Sequence, residues 1–216
     1  KYIGNLKFSQ TENNKINLDK SIKKFFMTKK IWCASSTHDN EEIICAETHK
    51  KLKSKHKNLL TIIIPRHIHR VNKIKNEIQK LDLKVHLHDS RYKIDPQTDI
   101  YLVNNFGQTK SFFKICKTVF LGGSIIKHGG QNPLEATRYG CNVIHGPNVW
   151  NFEEIYSLLK KYEVSSKIIN PSQLTAKINK IIDMKKNSKN IEIKIKKLGD
   201  LILNSTFNEI NYFINQ

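Results

Sequence analysis

The sequence predicts an α/β fold: one Rossmann-like parallel sheet with helices on both faces, followed by a C-terminal helical extension. Two patterns carry this. Short, mostly apolar runs at 31–34, 59–64, 83–87, 99–103, 118–121, 142–145 and 166–169 are continuous rather than alternating, as in strands buried on both faces. Helix-spaced segments stand between them, so strand and helix alternate along the chain.

Residues 1–16 are polar and Asn-rich after Gly4-Asn5-Leu6-Lys7-Phe8, and are expected to be a linker. Residues 17–170 form the sheet domain and 171–216 the C-terminal helices. Leu18, Ile22, Phe25 and Phe26 recur at helical spacing, predicting a short amphipathic helix over 18–28. The strand at 31–34 runs into a helix over 40–56, with Glu41 and Glu42 complementing its dipole and Thr37 or Asp39 expected to cap it. Pro65 stops the strand at 59–64. Val71, Ile74 and Ile78 mark one face of a helix over 68–80. Further helices are expected at 107–116, 132–139 and 151–161. Pro171 opens the last helical region, with a break near 187–190.

The chain has 216 residues, enough for one cored domain with an appendage. Lys and Arg total 37 against 19 acids, a net charge of +18. That excess suits an anionic partner, although a chain rich in Lys, Asn and Ile loads its solvated faces with Lys in any case. There is no basic stripe with interleaved aromatics and no nucleic-acid-binding motif, so nucleic acid is not expected as a partner. Four cysteines without a C-x-x-C pair or zinc spacing, three of them in apolar segments, indicate buried free thiols and a reducing compartment. No signal peptide and no apolar run near eighteen residues is expected to cross a membrane.

The most informative stretch is Gly122-Gly123-Ser124-Ile125-Ile126-Lys127-His128-Gly129-Gly130-Gln131-Asn132-Pro133-Leu134-Glu135. Two Gly pairs lie between a strand and a helix start, with Asn132 able to cap and Pro133 suited to the first turn. Backbone N–H groups at such a terminus suit phosphate, or the glycines serve only a turn. Glu135 in the first turn suits two ribose hydroxyls better than general-base work. Neither G-x-G-x-x-G nor G-x-x-x-x-G-K-[ST] occurs, which disfavours dinucleotide oxidoreductases and P-loop kinases.

Arg is rare here, at positions 66, 70, 91 and 138 only, so each hints at a planar fork for phosphate or carboxylate. Arg66 and His67 directly follow a strand end and face the expected crevice, whereas Arg70 is expected to be a solvated helix residue. Ser36, Thr37 or His38 sit at another strand end, as caps or as cleft residues. His86, His88 and His145 are expected to be structural or exposed. No metal site, catalytic triad or paired-carboxylate set is legible.

At these residues the chain resembles the 3-deoxy-D-manno-octulosonic acid (Kdo) transferases. The resemblance runs over 1–160 through Gly4-Asn5-Leu6-Lys7-Phe8, Ala34-Ser35-Ser36-Thr37-His38 with Glu41-Glu42, and Pro65-Arg66-His67. It continues through Gly122-Gly123-Ser124, Gly129 to Glu135, Gly140, Gly146-Pro147-Asn148 and Asn151-Phe152. It implies the C-terminal, donor-binding domain of a GT-B glycosyltransferase, with CMP-Kdo as donor and a lipid A precursor as acceptor at the cytoplasmic face of the bacterial inner membrane. It implies no metal or other cofactor. The catalytic carboxylate and the membrane anchor would belong to an N-terminal half, so no catalytic residue is assigned here and the chain alone is expected to be inactive. The donor-site residues it implies are Arg66, His67, Gly107, Gly123, Ser124, Lys127, Gly129, Gly130, Gln131, Asn132 and Glu135. The family's acids in Asp-Thr-x-Gly-Glu are replaced in Asn104-Asn105-Phe106-Gly107-Gln108, and Gln131 stands where the family has His. A GT-B half using a UDP- or GDP-sugar, or a non-catalytic module docking on anionic lipid, are the alternatives.

Overall fold

The computed structural model describes residues 4–9, 18–88, 92–184 and 188–214. Arg91, most of the expected linker and part of the expected break near 187–190 lie outside them.

Seven strands form one parallel sheet: β1 (Lys30–Thr37), β2 (Leu59–Pro65), β3 (Val85–Leu87), β4 (Ile100–Leu102), β5 (Thr118–Leu121), β6 (Asn142–His145) and β7 (Ser165–Lys167). Their order is β3-β4-β2-β1-β5-β6-β7. The direction of travel reverses between β1 and β5. Ligands settle beyond the carboxyl ends of the strands at such a reversal.

The helices are α1 (Lys20–Met27), α2 (Glu41–Lys53), α3 (Val71–Gln79), α4 (Thr109–Ile115), α5 (Leu134–Arg138), α6 (Glu153–Lys161), α7 (Pro171–Ile181) and α8 (Ser188–Ile214). Successive strand residues point to opposite faces. Cys33, Leu60, Ile62 and Val119 therefore pack with Ile22 and Phe26 of α1 and Phe112 of α4. Trp32, Ala34, Ile63 and Phe120 pack on the other face with Cys45 of α2, Ile74 of α3 and Ile178 of α7. This two-sided burial is why the strands are continuously apolar. Each fully buried large side chain contributes about 1.5–3 kcal/mol.

Two expectations about local structure change. Neither Thr37 nor Asp39 caps α2: Asn40 holds that position in the left-handed region, at φ 69°, with no side-chain cap hydrogen bond. Residues 6–9, within the expected linker, form a 3₁₀ turn whose Phe8 is buried with Leu134, Ile155, Ile195 and Ile202. A Cβ at Gly199 of α8 would stand 2.4 Å from the Phe8 carbonyl oxygen. A hydrogen there lets the turn lie against α8. The C-terminal helices pack on this chain: α7 covers the sheet, and α8 covers α5, α6 and the turn. The last turns of α8 stay exposed at Phe207, Ile210, Tyr212 and Phe213.

Candidate functional site

The carboxyl ends of β1, β2 and β5 converge on one crevice. β1 ends irregularly: its register against β2 shifts between Ser35 and Thr37, and Ser36 is held at φ 54°. A bulge of this kind re-aims the next side chain. It delivers His38, only 7% exposed, to the crevice floor. Gly122 follows β5 and passes so close that a Cβ would lie 2.4 Å from the Ser36 carbonyl oxygen.

The two Gly pairs play different parts. The Glu41 carboxylate, fully buried, accepts the Gly123 N–H at 2.6 Å and the His38 N–H at 3.0 Å on Oε2. Its Oε1 accepts the Ser124 and Ile125 N–H groups at 3.1 and 3.0 Å. The amides after the first pair thus already hold an internal anion. Ser124 is fully buried; its hydroxyl donates to the Leu121 carbonyl at 2.5 Å and accepts the Gly146 N–H at 2.8 Å. Neither Ser124 nor the Gly123 N–H is presented to the crevice.

The second pair is different. Gly130 donates to the Gly123 carbonyl at 2.8 Å. The N–H groups of Gly129, Gln131 and Asn132 have no protein acceptor among the described residues. This loop is strapped from below: the Tyr156 hydroxyl donates to the Gln131 carbonyl at 2.9 Å, and a Cβ at Gly129 would stand 2.2 Å from Asn151 Nδ2. Asn132 Oδ1 accepts the Leu134 N–H at 3.0 Å, steadying the start of α5.

Four histidines ring the opening. The His38 ring lies 4.0 Å from His128 and 5.7 Å from His67, centroid to centroid, and His67 lies 5.7 Å from His69. Gln131 Nε2 stands 3.4 Å from His38 Nε2. Gly123 supports the pair from below, since a Cβ there would meet both the His128 and His38 rings. Burial, then the His128 and His67 rings and the Arg70 and Arg66 guanidinium groups, push His38 down to about 4. An arriving anion would relieve that cationic crowding.

Arg66, His67, Lys127 and His128 are exposed at this rim. Arg70 is not the solvated residue expected. Its fork meets Glu42 Oε1 and Oε2, each at 3.1 Å, and Asp39 at 2.8 Å. Glu42, 1% exposed, also accepts from the Thr37 hydroxyl at 3.0 Å. The fork braces the start of α2 against the β2 end and leaves Arg66 as the guanidinium available to a ligand.

Gly107 and Glu135 belong to the other side of the edge. Gly107 is exposed at φ 81°, just ahead of α4. Glu135 of α5 pairs with Lys110 of α4 at 3.6 Å. Gln108, where the resemblance has an acid, accepts from His88 Nε2 at 2.7 Å, while His88 Nδ1 meets the Tyr101 hydroxyl at 2.6 Å. Burial pushes the Tyr101 phenol up, so it stays a donor to the imidazole. The amide thus completes a hydrogen-bonded chain from Tyr101 through His88. His145 is structural, its ring tilted at 43° with its centroid 4.2 Å from that of Tyr156, and it is pushed down to about 4 by burial.

Three roles differ from or go beyond the sequence expectation: Glu41, expected to complement the α2 dipole, is an internal anion, Arg70, expected to be solvated, is a brace, and His128 is a partner of His38. His128 lies inside the Gly-rich stretch, which was its only signal.

No family model matches the chain. It is 31% identical over 158 residues to a 3-deoxy-D-manno-octulosonic acid transferase of Haemophilus influenzae, covering 72% of this chain and 37% of that protein. It is 27% identical over 156 residues to the Aquifex aeolicus transferase, covering 72% of this chain and 43% of that one. The chain therefore spans less than half the length of these relatives. Its fold matches that of the C-terminal CMP-Kdo binding domain of WaaA from Acinetobacter baumannii, with a TM-score of 0.71 and 21% identity over 83% of this chain and 91% of that one.

Proposed function

We propose that this chain, related by sequence to the Kdo transferases and carrying the fold of their C-terminal domain, is the donor-binding half of such an enzyme. It holds CMP-Kdo while Kdo passes to a hydroxyl of a lipid A precursor and CMP leaves. The supporting observation is one crevice in which Arg66, His67, His38, His128 and the Gly129, Gln131 and Asn132 amides converge while the neighbouring amides are already taken up by Glu41. In this reading Arg66 and the Gly129, Gln131 and Asn132 N–H groups receive the donor phosphate or the Kdo carboxylate. Lys127 adds charge at the rim, and Glu135 and the backbone near Gly107 take the ribose and base. The catalytic carboxylate and the acceptor site lie in an N-terminal half, and the reaction takes place at the cytoplasmic face of the inner membrane.

Calorimetric titration of the chain with CMP tests this. At a hundredfold excess over Kd a ligand stabilises the fold by about 2.7 kcal/mol. Arg66→Ala removes a charge-assisted hydrogen bond worth about 1.5–3 kcal/mol, so Kd rises at least about tenfold while unfolding is unchanged. Glu135→Ala weakens CMP in the same way. Absence of CMP binding at millimolar ligand, or tighter binding of UDP than of CMP, overturns the reading.

A further inference from the structure

One cavity lies well away from the donor crevice. It occupies about 770 Å3 at the opposite, amino-terminal edge of the sheet, between α1 and the segment leading into β4. Phe25 and Ile94 give it an apolar wall, and Lys24, Lys29 and Lys93 stand around it. A second cavity of about 490 Å3 flanks the other side of α1, lined by Met27, Ile31 and Ile115 with Lys23, Lys30 and Lys117. Between the two, α1 turns Ile22 and Phe26 into the core and Met27 outward, 87% exposed.

The charges at this edge are unbalanced. Three of its acids are matched, Asp183 by Lys30 at 2.5 Å, Asp95 by Lys84 at 3.1 Å and Asp99 by Lys53 at 2.7 Å, while Asp19 caps α1 by accepting from the Ser21 N–H and hydroxyl. Lys23, Lys24 and Lys93 have no acidic partner among the described residues. Lys29 is bent inward, donating to the Pro96 carbonyl at 2.5 Å with its ammonium 5.1 Å from the Phe25 ring centroid. Basic side chains over apolar grooves with one projecting methionine match a surface that is anionic outside and hydrocarbon within. Tyr92, 69% exposed, is one ring at the rim of the first groove, short of the successive rings on which a nucleic acid strand would stack.

We propose that the amino-terminal edge of the sheet, centred on α1, docks on an anionic phospholipid surface. Met27 and the walls of the two grooves take up acyl-chain or glycerol contacts, while Lys23, Lys24 and Lys93 meet the headgroup phosphates. β1 is eight residues long. At about 3.3 Å per residue it separates this surface from the donor crevice by roughly 25 Å. Docking therefore leaves the crevice open, and it does not depend on what the crevice binds.

The test is co-sedimentation of the 216-residue chain with phosphatidylcholine vesicles, with and without about one third phosphatidylglycerol. The chain is expected to bind the anionic vesicles only, and to be released at about 1 M salt, where charges are screened within about 3 Å. Lys23→Glu with Lys24→Glu is expected to weaken binding at least about tenfold, each lysine near such a surface being worth roughly a fivefold change. Met27→Asp weakens it as well. Lys196→Glu with Lys197→Glu, the same charge change on exposed positions of α8, is expected to leave it within about twofold. Urea unfolding of each variant checks that the fold is kept. Equal binding to neutral vesicles overturns the proposal, as does equal loss in the α8 variant. Lys23 and Lys24 dependence seen with single-stranded RNA but not with vesicles overturns it too. CMP affinity is measured on the same variants and stays unchanged, so failure here is distinguishable from failure of the donor reading.

Discussion

Glu41→Ala should be among the most damaging single changes in this chain. Its carboxylate is fully buried and takes four backbone N–H groups, His38 and Gly123 on Oε2, Ser124 and Ile125 on Oε1. Removing it strands four buried donors, each costing about 1–3 kcal/mol when unpaired. Water entering the vacated space recovers part of this, so a net loss of about 4–6 kcal/mol is expected. A chain of this length loses about 2–4 °C in Tm per kcal/mol, giving a drop of roughly 10–20 °C. Glu41→Gln is the sharper probe. Whichever way its amide turns, one oxygen still serves one N–H pair while the NH2 group faces the other pair. About half the loss is therefore expected, roughly 2–3 kcal/mol. Urea denaturation followed by circular dichroism measures both. A cost below about 1 kcal/mol for Glu41→Ala, or a Gln variant as damaged as the Ala variant, would refute the internal-anion account.

Arg70→Ala leaves Glu42 buried without its fork and should cost about 3 kcal/mol near neutral pH. Burial already raises the Glu42 carboxyl and Arg70 opposes that rise, so without Arg70 it climbs further. A raised carboxyl binds its proton more readily in the folded state, so the deficit of the variant should shrink as pH falls toward 5, which urea midpoints across that range will measure. His38 and His145 are depressed from 6.5 to about 4. Below about 6.5 the unfolded chain takes up protons that the folded one does not, so stability should fall between there and about pH 4, and His38→Gln should flatten the slope. Gly199→Ala sets a methyl 2.4 Å from the Phe8 carbonyl oxygen. It should cost about 1–3 kcal/mol and loosen the 6–9 turn, visible as faster amide exchange there.

The order of strands and helices was legible because burial on both faces imposes continuous apolar runs, and those runs are visible without neighbours. Boundaries were less so. The helix expected from 107 begins at Thr109, and α5 has only five residues, since a helix end depends on which carbonyls find partners. Arg66 and His67 were legible because they directly follow a strand end. Arg70, three positions later, was not, because its partners Asp39 and Glu42 come from another strand end about thirty residues earlier in the chain.

By itself, the sequence determined that this chain is a parallel α/β domain with its Gly-rich turn at the carboxyl end of a strand. Strand periodicity and a Gly-rich turn before a helix start are local properties, so they survive without coordinates. Only the tertiary structure decided how the Gly-rich stretch is divided. Both Gly pairs look alike as sequence, two glycines in a turn with free N–H groups. Folding carries Glu41, 82 positions from Gly123, onto the first pair, and leaves the Gly129, Gln131 and Asn132 N–H groups without a protein acceptor among the described residues. Whether a backbone N–H is spent or available depends on which distant acceptor folding brings to it, and no local pattern records that.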